Sequence, residues 1–128
     1  MNRLDKKLRI YVIDDGVDSD GNSIAIKHYL NEDDSNNAMF KCYFRTLSTA
    51  ERRSQYYLGE DSEVQFEVNQ RKLNTNCYIE FHRALFGLET FKINYIDGFD
   101  DSNRLRLRIR AKKIIPPNFS AIKWGAKI

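Results

Sequence analysis

The run Arg104-Leu105-Arg106-Leu107-Arg108-Ile109-Arg110 alternates a cation with an apolar side chain at every step. Successive side chains of a strand point to opposite faces, so this period of two predicts a strand with one wet face and one buried face. The same pattern extends upstream. Glu63-Val64-Gln65-Phe66-Glu67-Val68, Tyr78-Ile79-Glu80-Phe81-His82 and Phe91-Lys92-Ile93-Asn94-Tyr95-Ile96 each alternate polar with apolar positions. Four such runs joined by short spacers predict an antiparallel meander over one core. The expected fold class is mainly β, a small antiparallel β-barrel or β-sandwich.

The first half continues the pattern. Leu8-Arg9-Ile10-Tyr11-Val12-Ile13 reads as a strand, broken at Asp14-Asp15-Gly16 and again by Asp18-Ser19-Asp20-Gly21-Asn22. A second strand over 23–30 puts Ile24, Ile26, His28 and Leu30 on one face, making a hairpin around a long acidic loop. Residues 31–37 read as a polar loop and 39–47 as a third strand. Ser48-Thr49-Ala50-Glu51 then has the form of a capping box, in which the Ser hydroxyl accepts from the backbone three residues on and the Glu reaches back. It predicts one short α-helix over about 49–58, ended at Gly59. Residues 97–103 read as a hairpin loop. Pro116-Pro117 cannot continue a central strand. The barrel domain is therefore expected over 1–113, with 114–128 as a docking tail.

A chain of 128 residues fits one domain, and 41% hydrophobic with 30% charged residues supplies a modest core. No apolar run approaches the roughly 20 residues that span a bilayer, so no membrane partner is expected. Met1-Asn2-Arg3-Leu4-Asp5-Lys6-Lys7 carries charge with no apolar stretch behind it and does not read as a secretory signal. The net charge of +3 is too small to imply nucleic acid by itself. Its distribution is uneven. Residues 104–128 hold basic side chains and no acid, whereas Asp14, Asp15, Asp18, Asp20, Glu32, Asp33 and Asp34 face the single Lys27 over 14–34. Oppositely charged ends suit head-to-tail packing between copies.

The motifs that could carry chemistry fail on spacing. A calcium loop would start at Gly16, with Asp18 and Asp20 at its third and fifth positions, but its twelfth position is Lys27 where the bidentate Glu is needed. His28, His82, Cys42 and Cys77 match neither a metal site nor a nucleophile–base pair. The cysteines read as small buried hydrophobes of a reducing compartment. No catalytic residue, cofactor, metal or enzyme activity is expected. Arg104, Arg106, Arg108 and Arg110 form a ladder about 20 Å long on one strand face. It suits cross-strand pairing with carboxylates such as Glu63, Glu67 or Glu80, a subunit interface, or phosphate contact. The tail presents Phe119 and the lone Trp124, which dock either on their own barrel or on a neighbour. It is expected to serve assembly more than folding.

The order of these pieces over roughly residues 1–113 resembles the phage head–tail joining family, the head completion or stopper proteins of long-tailed phages. Phe44-Arg45-Thr46-Leu47-Ser48-Thr49-Ala50-Glu51-Arg52 resembles that family's junction of strand and short Glu-bearing helix. Val64-Gln65-Phe66-Glu67-Val68, Gly87-Leu88-Glu89-Thr90-Phe91-Lys92-Ile93 and the acidic stretch leading to Leu105-Arg106-Leu107 resemble the strands that follow. Members often carry a Trp on the third strand, where this chain has Phe40 to Phe44, and an Arg-Tyr pair after the fourth, where it has Asn69-Gln70-Arg71.

The resemblance implies a structural protein of the virion neck, made in the host cytoplasm. Copies would form a ring below the portal and its adaptor and above a tail-completion or tail-tube protein. Packaged DNA would pass through the ring without sequence-specific binding. The candidate channel-gating residues Ser48, Glu51, Tyr57, Gly59, Glu60 and Asp61 lie at the family's strand-to-helix junction, while the candidate subunit or partner interface, Arg104, Arg106, Arg108, Arg110, Phe119 and Trp124, comes from the arginine ladder and the tail themselves. The competing readings are a tail-completion or terminator protein and a small nucleic-acid-binding β-barrel module.

Overall fold

A computed structural model describes residues 3–46, 63–101 and 104–125. Its strands are β1 (Lys6–Val17), β2 (Ser23–Tyr29), β3 (Phe40–Thr46), β4 (Glu63–Asn69), β5 (Tyr78–Arg83), β6 (Gly87–Asp101), β7 (Arg104–Ile114) and β8 (Ala121–Trp124). The chain is mainly β and barrel-like, as the alternation predicts. Following the hydrogen-bonded neighbours from β1 through β3, β4, β7, β6 and β5 returns to β1, every pair antiparallel. Strands β2 and β8 lie outside that ring as a wing, β2 antiparallel to β1 and β8 parallel to β2.

Strand β1 joins ring and wing. Its Lys6–Leu8 stretch pairs with β3, Arg9–Tyr11 with β5, and Tyr11–Val17 with β2. The switch from β3 to β2 is stitched by Asn31, a side chain with no exposed surface. Its Oδ1 accepts from Ile10 N–H at 3.1 Å, its Nδ2 donates to the Ala38 carbonyl at 2.9 Å, and its own carbonyl accepts from Gly125 N–H at 2.9 Å. An asparagine is needed because the site requires a donor and an acceptor on one short side chain.

Inward positions of the ring build one core: Leu8, Ile10 and Val12 from β1, Val64, Phe66 and Val68 from β4, Ile79 and Phe81 from β5, Phe91 and Ile93 from β6, Ile109 and Ala111 from β7. Phe66 is its hub, edge-on to Phe81 and Phe91 with centroids 5.2 and 5.5 Å away. Cys42 and Cys77 are free thiols in this core, and burial pushes the Cys42 thiol up to about 12.

Four boundaries differ from the sequence expectation. Asp14-Asp15-Gly16 does not break β1, which runs on to Val17. Asp14 Oδ2 meets His28 Nδ1 at 3.2 Å across the hairpin, and Gly16 leaves room for Ile26, whose Cδ1 would stand 2.5 Å from a Cβ there. The loop shrinks to residues 18–22, held by Asp18 Oδ1, which accepts from the N–H groups of Asp20 and Asn22 at 2.9 Å each.

The alternation in β6 does not run through. Ile93 pairs with Ala111 and Tyr95 with Arg110, so Asn94 is an extra residue, a bulge that turns Tyr95 out and Ile96 in. Beyond it, β6 continues through Asp97 and Gly98 to Asp101, where a loop is expected. Finally, the segment after Pro116-Pro117, read from sequence as a docking tail without a strand, carries β8, which adds to the sheet beside β2. The helix expected over 49–58 lies outside the described residues. The polar loop before β3 contains a 3-10 turn, Asn36–Ala38, whose cap Ser35 accepts from Ala38 N–H.

Candidate interaction surfaces

Outward positions of β1, β2 and β5 carry an aromatic cluster that the C-terminal strand covers. Tyr11, on the outward face between Ile10 and Val12, is fully buried. Its ring stacks on Tyr78 at 5.1 Å and meets Tyr29 and Phe119 edge-on at 5.9 and 5.6 Å. Trp124 stacks on Tyr29 at 4.1 Å. Lys27 Nζ sits among three of these rings, 4.9 Å from Tyr11, 5.1 Å from Phe119 and 5.5 Å from Tyr29. The same ammonium is 2.5 Å from Glu80 Oε2, and Tyr29 Oη donates to Glu80 Oε1 at 2.5 Å. Glu80 is thus a buried carboxylate satisfied by a cation and a phenol, the condition under which burying charge is tolerated. Burial is the main cause that raises both the Tyr11 and the Tyr29 phenols, with Glu80 adding to each.

The backbone of the tail is anchored at both ends. Ser120 N–H donates to the Ala25 carbonyl at 3.0 Å, and His28 Nε2 lies 2.8 Å from the Gly125 carbonyl. Phe119 and Trp124, expected to dock on the barrel or on a neighbour, therefore dock on their own chain. The cradle residues Tyr11, Tyr29, Lys27 and Tyr78 were not anticipated. The signal was present: Tyr11 and Tyr78 are aromatic at positions whose phase is polar, which marks a second buried layer outside the first.

The arginine ladder lies across β4 and β6. Register sets Arg108 between Glu67 and Asp97, Arg110 between Gln65 and Tyr95, and Arg106 between Asn69 and Phe99. In the backbone register Arg104 stands opposite Asp101 at the hairpin end. Arg106 is buried, and the Arg108 guanidinium lies 4.5 Å over the Phe99 ring. Gln65 and Glu67, though outward-facing, are each only 3% exposed; Gln65 Oε1 accepts from Arg45 Nη2 at 3.2 Å and its Nε2 donates to Glu67 Oε2 at 3.5 Å. Of the carboxylates expected opposite the ladder, Glu67 is there, Glu63 faces Lys112 instead, and Glu80 belongs to the Lys27 cluster. A groove of about 510 Å³ runs between Arg108, Arg110, Tyr95, Asp97 and Glu63. Its mixed charge does not favour a phosphate.

A third surface lies at the barrel mouth beside the β5–β6 hairpin. Phe86 N–H donates to the Arg83 carbonyl at 3.1 Å, and Gly87 follows at φ 75° to return the chain. This tight turn lifts Leu85 and Phe86 into solvent at 92% and 64% exposure. Below them is a groove of about 400 Å³ lined by Phe44, Phe81, Phe86 and Leu85, with Lys6, His82 and Arg83 on its rim. Arg83 lies 4.3 Å over Phe86 and 3.2 Å from the buried Glu89, which Lys113 also meets at 2.8 Å. The sequence-predicted gating residues Ser48, Glu51, Tyr57, Gly59, Glu60 and Asp61 lie outside the described residues. Among the described residues no cluster of three or more His, Cys, Asp or Glu side chains could hold a metal ion, and no helix is long and apolar enough to cross a membrane.

No protein-family model matches this chain, and no curated protein matches it.

Proposed function

We propose that this chain is a structural subunit of the phage neck, a head completion or stopper protein whose copies ring the DNA exit channel below the portal and adaptor and offer a docking surface to the tail. The reading is supported by the order of strand motifs, which resembles that family, carried on one small barrel-like sheet. The observation that carries it furthest is the sorting of charge. Exposed Asp15, Asp18 and Asp20 stand on the β1–β2 hairpin, while cations line the barrel mouth, β7 and the tail. A closed ring of one polypeptide needs two different, complementary patches on each copy, and this distribution provides them.

Residues 48–62, which link β3 to β4 in sequence, are the proposed channel-facing segment. Acidic groups there would repel the DNA backbone and let it slide. The test is deletion of the gene from its phage. Heads should fill, then leak DNA and fail to take tails, and purified protein should restore both properties. Heads that keep their DNA and lack only tails would favour a tail-completion role, and heads that mature normally would overturn the neck reading. A nucleic-acid-binding module instead predicts that the monomer binds DNA with strong salt dependence.

A further inference from the structure

Two exposed features at opposite ends of β1 match each other in shape class and charge. At one end is the apolar groove, with Lys6, the first residue of β1, on its rim. At the other end the β1–β2 hairpin projects. Its outward face presents Ile13 and Val17, 39% and 69% exposed, with exposed Asp15 between them and Asp20 in the turn. Ile13, Asp15 and Val17 share a face because they are spaced by two on one strand. Eleven residue steps separate Lys6 from Val17, roughly 36 Å of extended strand, so the two features of one copy stay apart.

We propose that the acidic β1–β2 hairpin of one copy seats in the apolar groove of the next. Ile13 and Val17 would pack against Leu85 and Phe86, with Asp15 and Asp20 facing Lys6 and His82. This deepens the ring reading and rests on it. The occupant is a second copy because the knob offers what the groove lacks: two aliphatic side chains for its rings, and carboxylates for the Lys6 ammonium and the His82 ring nitrogens on its rim. Leu85 and Phe86 reach into solvent on a turn locked by Gly87, which gives a rigid apolar edge of the kind that binding partners cover. The contact is heterologous, since knob and groove are different surfaces of the chain. It therefore propagates from copy to copy until it closes.

The test uses the full chain in sedimentation velocity over a wide concentration range. One variant reverses the knob (Asp15→Lys with Asp20→Lys) and the other reverses the rim (Lys6→Glu with His82→Glu). Asp18 is left alone because it holds the turn. All four sites are exposed, and circular dichroism checks that both variants fold. The wild type should self-associate, and each variant alone should associate at least about tenfold more weakly, because like charges then meet. An equimolar mixture should recover association, since each variant's knob then faces a groove of opposite charge. Phe86→Ser should weaken association without changing its salt dependence. Association unchanged in both variants would place the contact elsewhere and overturn the inference while leaving a ring intact. A wild type and a mixture that both stay monomeric would also overturn it. A chain that associates as predicted yet is absent from virions would instead sink the neck reading and keep the interface.

Discussion

Asn31 shows how much of this fold rests on a single polar side chain. It is fully buried and connects β1, the 3-10 turn and the C-terminal strand. Replacing it with Ala takes the side-chain partner from the buried Ile10 N–H and from the half-buried Ala38 carbonyl. Urea unfolding of Asn31→Ala should show a loss of about 2–4 kcal/mol, one desolvation penalty for each orphaned group. Tyr11 is the opposite case. Its hydroxyl is buried and has no hydrogen-bond partner among the described residues, although its ring touches three others. Tyr11→Phe keeps those ring contacts and removes the unpaired group, so it should be neutral or stabilising by about 1 kcal/mol in the same assay. A clear loss would mean that the hydroxyl is hydrogen-bonded in the folded chain.

Asp18 gives a pH signature at the same scale. Its carboxyl is held below the ordinary range, chiefly by the hydrogen bond from Asn22 N–H. A depressed folded-state value means that its contribution is fully present above the unfolded value of about 3.9 and is lost as pH falls through the lower folded value. The amide resonances of Asp20 and Asn22 should therefore shift together below pH 4 and stay flat from pH 5 to 8.

Among the elements, alternation made the ring strands legible, because inward and outward positions differ chemically on β4, β5 and β7. It failed where tertiary partners override local signals. Asp14 and Gly16 look like a strand end, yet His28 and Ile26 on the facing strand use them. The bulge at Asn94 is invisible to a period-two reading, since Tyr95 and Ile96 both look apolar and only the register with Arg110 and Ile109 sorts them. Strand β8 was hidden by the Pro116-Pro117 pair before it and by its brevity, although Phe119 and Trp124 announced that the segment docks. The acidic hairpin was legible as charge, but the groove it is proposed to fill depends on Phe44 and Phe81 being brought beside Leu85, which no local pattern encodes. The C-terminal segment also stabilises. Truncation after Ile115 would expose Tyr11 and Tyr29 and lose the Trp124 stack, and should cost about 2–4 kcal/mol by apolar area. An unchanged urea midpoint would show that β8 contributes only in an assembly.

At the scale of the whole molecule, the described residues form a ring of six strands with an aromatic-backed wing. One strand, β1, carries both ends of the proposed contact. A heterologous contact of this kind either closes or runs on as a filament, and a neck component must close. The most direct measurement is native mass spectrometry of the full chain, alone and mixed with the portal–adaptor complex that the neck proposal requires. A closing ring gives one dominant species on the complex, a fixed whole-number multiple of the 15.1 kDa subunit, replaced by sub-stoichiometric binding when Asp15 and Asp20 are reversed. A single copy per complex, or an open ladder of masses with no preferred closed state, would contradict it.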